Sequence, residues 1–288
     1  MRVSNDDKLA AQQHRVLNCC FTNVYSLIQM LNISTPTNSI RNALVELGAV
    51  AYPRIPEWRP HADLVAVVVG ADSAHVHLSI GLDTETSDLE SLWFERIRPF
   101  EANLRSGQRA PRRQQPVLVQ PDPSWAEQAE RLIARLSKAL DSSIRRIDHI
   151  GSTSVPDLPA KDLIDIQVVV DDLTVASECA GTARQAGFVH VVGEWYGEDR
   201  DGEKHREEVV VDADPGRPAN VNIRQLSDPV WKETLLFRNF LRANTVERDR
   251  YAQMKQSLAL QGVGVDRYSE LKMPYIRAAL RRADARPL

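Results

Sequence analysis

The residues best suited to chemistry lie in Asp148-His149-Ile150-Gly151-Ser152-Thr153-Ser154-Val155-Pro156 and in the following Ala160-Lys161-Asp162-Leu163-Ile164-Asp165-Ile166-Gln167-Val168-Val169-Val170. The pattern is a strand, a tight Gly-Ser turn, a basic residue and a second strand that carries an acid. Gly151, Ser152 and Thr153 offer backbone N–H groups and hydroxyls to an anion. Lys161 adds charge. Asp165 interrupts an apolar run, and a carboxylate in that setting needs a metal or a cation beside it. Together these residues predict a phosphate site with a divalent cation, magnesium being the expected ion, held by Asp165 with Asp162 as a second acid.

The spacing of Gly151-Ser152, twelve further residues and then Asp165 matches the opening of nucleotidyltransferase-fold sites. There the turn holds a triphosphate and the strand acid a metal that orients an in-line attack. Active members carry a second acid two positions on, where this chain has Gln167. Both side chains face the same way along a strand, but an amide supplies no second negative charge. An active metal site and a binding-only site both remain open.

Other candidates have plainer alternatives. His149 is placed to act as a base or to serve as a hydrogen-bonded structural residue. Lys161 either touches phosphate or covers the sheet's end with its stem. Turn chemistry alone explains Asp214-Pro215-Gly216, whereas Arg217 is free to bind phosphate. Asn220, Asn222 and Arg224 alternate with Val221 and Ile223, so their polar face looks at solvent or into a site.

These residues need a scaffold. The segment Arg105 to Gln115 is polar and basic and reads as a solvated hinge between two regions. After it come a short strand over Val117 to Val119 and an apolar helical stripe through Ala129, Leu132, Ile133, Leu136 and Leu140. Strands follow over Ile144 to Ile150 and Ile164 to Val170, then a helix capped by Thr174 and ended by Gly187. Phe188 to Val192, Glu207 to Val211 and Ala219 to Arg224 are further strands. Three helices, Asp228 to Arg242, Val246 to Leu260 and Tyr268 to Ala283, close the chain. The class is α/β, a mixed sheet with a C-terminal helical cap.

Before the hinge the pattern is weaker. Leu17, Cys20, Phe21, Val24, Ile28 and Leu31 predict a helix over about Lys8 to Leu31, and Ile40 to Leu47 a short one stopped by Gly48. Tyr52 to Pro60 should be irregular and Leu64 to Val69 a buried strand. Ser87 and Glu90 predict a capping box opening a helix that breaks at Pro99. A single strand cannot make a sheet, so a small, mainly helical region is expected.

Composition narrows the partners. The chain has 288 residues, 43% of them hydrophobic and 26% charged, as in soluble globular proteins. A net charge of −3 argues against bulk binding of nucleic acid. Cys19, Cys20 and Cys179 form no disulfide or zinc pattern. No apolar window reaches membrane length and the N-terminus lacks a signal pattern, so a cytoplasmic location is expected.

Several separated motifs resemble one family in order. His149 to Pro156, Ala160-Lys161, Ile164-Asp165-Ile166, Ala213 to Pro218, and Tyr268 with Lys272 look like the GrpB family, as do Trp125 after Asp122-Pro123-Ser124 and Leu235 to Arg242. The resemblance covers about Val117 to Leu280. It implies a nucleotidyltransferase-like fold at 116–288 and leaves the reaction undefined. Leu92 to Leu104 is similar to the last helix of an actinobacterial dephospho-CoA kinase domain, and Ala43 to Val50 to the helix after that kinase's phosphate loop. The loop itself needs GxxxxGK[ST], whereas Ile33-Ser34-Thr35-Pro36-Thr37-Asn38-Ser39 has no glycine and no lysine. Residues 1–110 therefore read as a kinase-like remnant without its ATP site.

Three functions follow as expectations. The first is binding of a nucleotide or phosphate ester with magnesium, with nucleotidyl transfer, where Gly151, Ser152, Thr153, Lys161, Arg217, Asn222, Arg224 and Lys272 would hold the ligand. The second is a non-catalytic module that binds a nucleotide or CoA-like ligand or supports a partner kinase. The third, phosphorylation of dephospho-CoA, is opposed by the missing loop.

Overall fold

Alternation along β6 (Ile164–Val170) sets the architecture. Ile164, Ile166, Val168 and Val170 point to one face and are fully buried there, while Asp165 and Gln167 point to the other. In this computed structural model residues 27–30, 35–47, 50–52, 66–69, 77–81 and 83–284 are described. β6 lies between β5 (Arg146–Ile150), antiparallel to it, and β10 (Ala219–Gln225), parallel to it. β9 (Lys204–Asp212) and β7 (Phe188–His190) complete the order β5-β6-β10-β9-β7, and β8 (Trp195–Glu198) pairs with β9. The sheet is mixed, as expected.

The two faces carry different cores. On one, α4 (Trp125–Leu140) packs its stripe of Ala129, Leu132, Leu136 and Leu140 beside Ala176, Cys179 and Ala180 of α5 (Leu173–Thr182). Each buried Leu, Val or Ile there contributes about 1.5–3 kcal/mol. The opposite face is shared. Helices α6 (Val230–Ala243), α7 (Thr245–Ala259) and α8 (Val265–Asp284) enclose Leu241 and Tyr251 with Val155 and Leu158 beyond β5. Over β7 and β9, Val189, Val211 and Ala213 bury against Trp93, Ile97, Phe100 and Leu104 of the amino-terminal region.

That region contains more sheet than a mainly helical reading allows. β1 (Leu27–Met30), β2 (Val50–Tyr52), β3 (Ala66–Val69) and β4 (Leu78–Ile80) form a parallel sheet in the order β2-β1-β3-β4. Strands of three or four residues in a parallel sheet show no alternation, so periodicity does not mark them. The predicted helix over Lys8 to Leu31 is a strand where it is described, at Leu27–Met30; Cys19 and Cys20 lie outside the described residues, as do Gly48 and most of Tyr52 to Pro60. α1 (Thr35–Glu46) covers the sheet with Ile40 and Leu44. It starts at the residues that replace the kinase loop.

Three local expectations also change. α2 (Thr86–Leu92) has no side-chain cap, and a π turn at Trp93–Ile97 carries the chain directly into α3 (Arg98–Ser106). Pro99 follows the π turn at once, and that wider turn, with the Arg98 N–H on the Trp93 carbonyl, carries the helix past the proline without a break. Asp172, not Thr174, caps α5, accepting from the N–H groups of Thr174 and Val175 at 2.8 and 3.0 Å. The Arg105 to Gln115 segment is largely exposed, as expected, but is anchored at two points: Ala110 is buried, and the Arg112 guanidinium donates to Asn220 Oδ1 and the Ala219 carbonyl, both at 2.6 Å.

Candidate functional site

β5 delivers the chain to Gly151, whose φ of 71° and ψ of −170° belong to a region that glycine alone adopts freely. A Cβ built there would lie 2.8 Å from Asp165 Cβ. The turn thus lies directly against the strand acid, and Ser152 follows at its edge.

The cap helices bring cations to this point. Lys255 of α7 donates from Nζ to Ser152 Oγ at 3.1 Å and to the Pro159 carbonyl. Lys272 of α8 lies 4.9 Å from the centre of the Tyr268 ring, and Lys161 lies 5.7 Å from the same ring. Lys161, Lys255 and Lys272 line one cell of about 130 Å³ with Ser152, Asp165, Asn220 and Tyr268. Tyr268 is 1% exposed, and its hydroxyl has no hydrogen-bond partner among the described residues.

Electrostatics follow from burial and crowding. Desolvation lowers the Lys255 ammonium to about 7, helped by Lys272 and Lys161. Burial also lowers Lys272 to about 8, with Lys161 adding to the effect and Asp165 opposing it. Asp165 is raised by burial against the pull of Lys161, Lys272, Asn220 and Arg112. Asn220 Nδ2 donates to Asp165 Oδ1 at 3.3 Å, and Arg112 holds Asn220 from behind.

Of the predicted residues, Ser152, Lys161, Asp165 and Lys272 meet at the cell, and Gly151 lies against Asp165 at the edge of the larger cavity beside it. Asn222 lines that larger cavity. The others are engaged elsewhere. His149 pairs across the sheet with Ile166 and therefore shares the face opposite Asp165. Its Nε2 lies 3.0 Å from Thr153 Oγ1, and burial lowers it to about 4, with Arg242 and Arg238 adding to the shift. Thr153, the partner of His149, is buried. Asp162 accepts from Trp125 Nε1 at 2.9 Å and Arg217 at 2.6 Å, so this acid and this arginine neutralise each other. Arg224 is buried in bonds to Glu207, Gln167 and Thr234 at 2.7, 3.0 and 3.1 Å.

Magnesium does not fit this donor set. The ion prefers octahedral oxygen ligation with one or two carboxylates, and Asp165 is the lone acid among three lysines. Gln167 is 0% exposed and binds Arg224, the Trp231 carbonyl and Asp148. Among the described residues no group of three or more His, Cys, Asp or Glu side chains is arranged to hold a metal.

Sequence reasoning missed Lys255, Arg112 and the Tyr268 hydroxyl as parts of the site. The i, i+4 pair Tyr251 and Lys255, 5.1 Å from ring centre to Nζ, was the available signal.

Residues 115–282 match the family described as GrpB protein. The chain belongs to the GrpB family. Its relatives include a UPF0157 protein from Halalkalibacterium halodurans, 30% identical over 172 residues, which are 59% of this chain and 83% of that protein. It is also similar to a dephospho-CoA kinase from Mycolicibacterium paratuberculosis, 37% identical over 214 residues, 67% of this chain and 52% of that protein. One from Mycobacterium leprae is 37% identical over 215 residues, again 67% and 52%. The chain thus spans about half the length of these kinases. The solved GrpB structure from Enterococcus faecalis aligns with a TM-score of 0.48 at 26% identity, over 58% of this chain and 96% of that one. No helix of the described residues is long and apolar enough to cross a membrane.

Proposed function

We propose that this GrpB-family chain binds a phosphate-bearing small molecule, with the phosphate in the lysine cell and without a resident metal. The observation that carries this reading is the convergence of Lys161, Lys255 and Lys272 around a single carboxylate, with the Tyr268 hydroxyl unpartnered. Such an enclosure leaves positive charge in excess, and a bound oxyanion both neutralises it and accepts from the hydroxyls. Asp165 then spaces the lysines and favours the protonated form of Lys272 rather than holding an ion. Ser152 serves as a donor to the anion.

This reading favours a binding module over nucleotidyl transfer, which calls for further acidic ligands at the position of Gln167. Dephospho-CoA phosphorylation belongs to relatives about twice as long, and α1 begins without the glycines and lysine of a phosphate loop. A CoA-like ester remains a suitable ligand on chemical grounds.

Isothermal titration of inorganic phosphate, ATP and dephospho-CoA, with and without magnesium, tests the reading. Binding that survives EDTA and weakens at least ten-fold in Lys272→Met is expected. Binding that requires magnesium and disappears in Asp165→Asn would overturn it and restore the metal site.

A further inference from the structure

The lysine cell adjoins a second cavity of about 500 Å³, and the two share Ser152, Asp165, Ser269 and Lys272. Their chemistry differs sharply. The larger chamber has a floor of Val155, Phe237, Leu241, Met273, Ile276 and Leu280, drawn from the turn and the cap helices. Its lining carries six carboxylates, Asp165, Glu198, Asp199, Glu207, Glu233 and Glu270, against four cations, Arg224, Arg238, Lys272 and Arg277. Arg224 bonds Glu207 at 2.7 Å, Arg277 bonds Glu198, and Arg238 faces Asp148 at 3.9 Å. Glu233 binds Arg200, Glu270 binds Arg267 at 2.8 Å, and Asp199 binds His205 at 3.0 Å.

Size sharpens the contrast. A cell of about 130 Å³ has room for one tetrahedral oxyanion beside the three lysines. The chamber has the volume of a small-molecule site, and its carboxylates outnumber its cations, so a second phosphate placed there meets net negative charge. A polyphosphate entering it would meet the carboxylates of those pairs.

Building on the lysine-cell reading, we infer that the ligand is a phosphomonoester with one terminal phosphate on an apolar or neutral body, rather than a nucleoside polyphosphate. The phosphate sits among Lys161, Lys255 and Lys272. The body lies along Phe237, Met273 and Ile276. Lys272 and Ser152 stand at the junction and contact the ester oxygen side of the head group. Selectivity comes from the chamber, and the charge requirement comes from the cell.

The test is a titration series on the whole chain with inorganic phosphate, methyl, butyl and hexyl phosphate, tripolyphosphate and ATP. Affinity should rise at least ten-fold from methyl to hexyl phosphate, with tripolyphosphate and ATP no tighter than methyl phosphate. Met273→Gln and Ile276→Gln, each checked for an unchanged melting temperature, should flatten the chain-length dependence while inorganic phosphate binds as before. Phosphate binding without any chain-length dependence, or tighter binding of tripolyphosphate, would overturn the inference and leave the lysine cell standing. No binding of any phosphate would overturn both.

Discussion

Arg96 and Asp214, 118 residues apart, form a two-point ion pair, Nε to Oδ1 at 2.8 Å and a terminal nitrogen to Oδ2 at 2.6 Å. This pair joins the π turn of the amino-terminal region to the corner after β9. It also accounts for Gly216, where a Cβ would lie 2.6 Å from Arg96 Cδ. Replacing Arg96 with Met leaves Asp214, 1% exposed, without its cation. A loss of about 3 kcal/mol is expected, the low end for breaking a buried pair because Arg96 keeps some solvent. Urea denaturation measures it, and a loss below 1 kcal/mol would show the joint to be held by the apolar contacts alone.

Gly151→Ala places a side chain against Asp165 at a backbone conformation that only glycine tolerates. The strain is about 1–3 kcal/mol, and the turn must shift to accept it. Phosphate affinity should fall at least ten-fold while far-ultraviolet circular dichroism stays unchanged. Retained affinity would mean that the turn does not position the anion.

The lysines make binding and stability respond to pH in opposite directions. Lys255 drops from its ordinary 10.5 to about 7 and Lys272 to about 8 in the folded chain. The unfolded chain therefore binds more protons between about pH 7 and 10.5, and these groups make stability rise across that window. Anion binding needs the protonated forms, so affinity should fall as pH rises from 7 to 9, with proton uptake that titration in buffers of different ionisation enthalpy detects. Lys255→Met should raise stability below pH 7, with the difference shrinking above it, and should weaken binding throughout. A flat affinity between pH 6 and 9 would count against charged lysines in the cell.

Much of this was legible in the chain. β6 is marked by the apolar run from Ile164 to Val170, and the Gly-Ser turn and Asp165 by their spacing, because apolar runs and glycine chemistry are local signals. The amino-terminal sheet was not, since strands of three or four residues buried between neighbours leave no pattern. Lys255 was hidden for a different reason. Lys255 on a helix surface reads as solvated until the fold lays α7 over the Ser152 turn. The Asp162 and Arg217 pairing is equally non-local, 55 residues apart, and turns two expected ligand residues into each other's partners.

Arg112 extends the site into the segment that sequence assigns to a hinge. It grips Asn220, which in turn contacts Asp165. Arg112→Ala should weaken phosphate binding about three- to ten-fold, as expected for losing a charge-assisted bond worth about 1 kcal/mol, without changing the urea midpoint by more than a few tenths molar. Equal affinity would confine the site to the sheet and cap.

The amide at position 167 has a consequence for engineering. Gln167 uses its oxygen to accept from Arg224 and its nitrogen to donate to the carbonyl of Trp231, the second residue of α6. It is a two-sided adapter that fits a donor on one side and an acceptor on the other. An acid at this position would turn a second acceptor toward the Trp231 carbonyl and the nearby Asp148 carboxylate. Placing an acid at position 167 is therefore not a one-residue change: the start of α6 would have to be rebuilt in the same step.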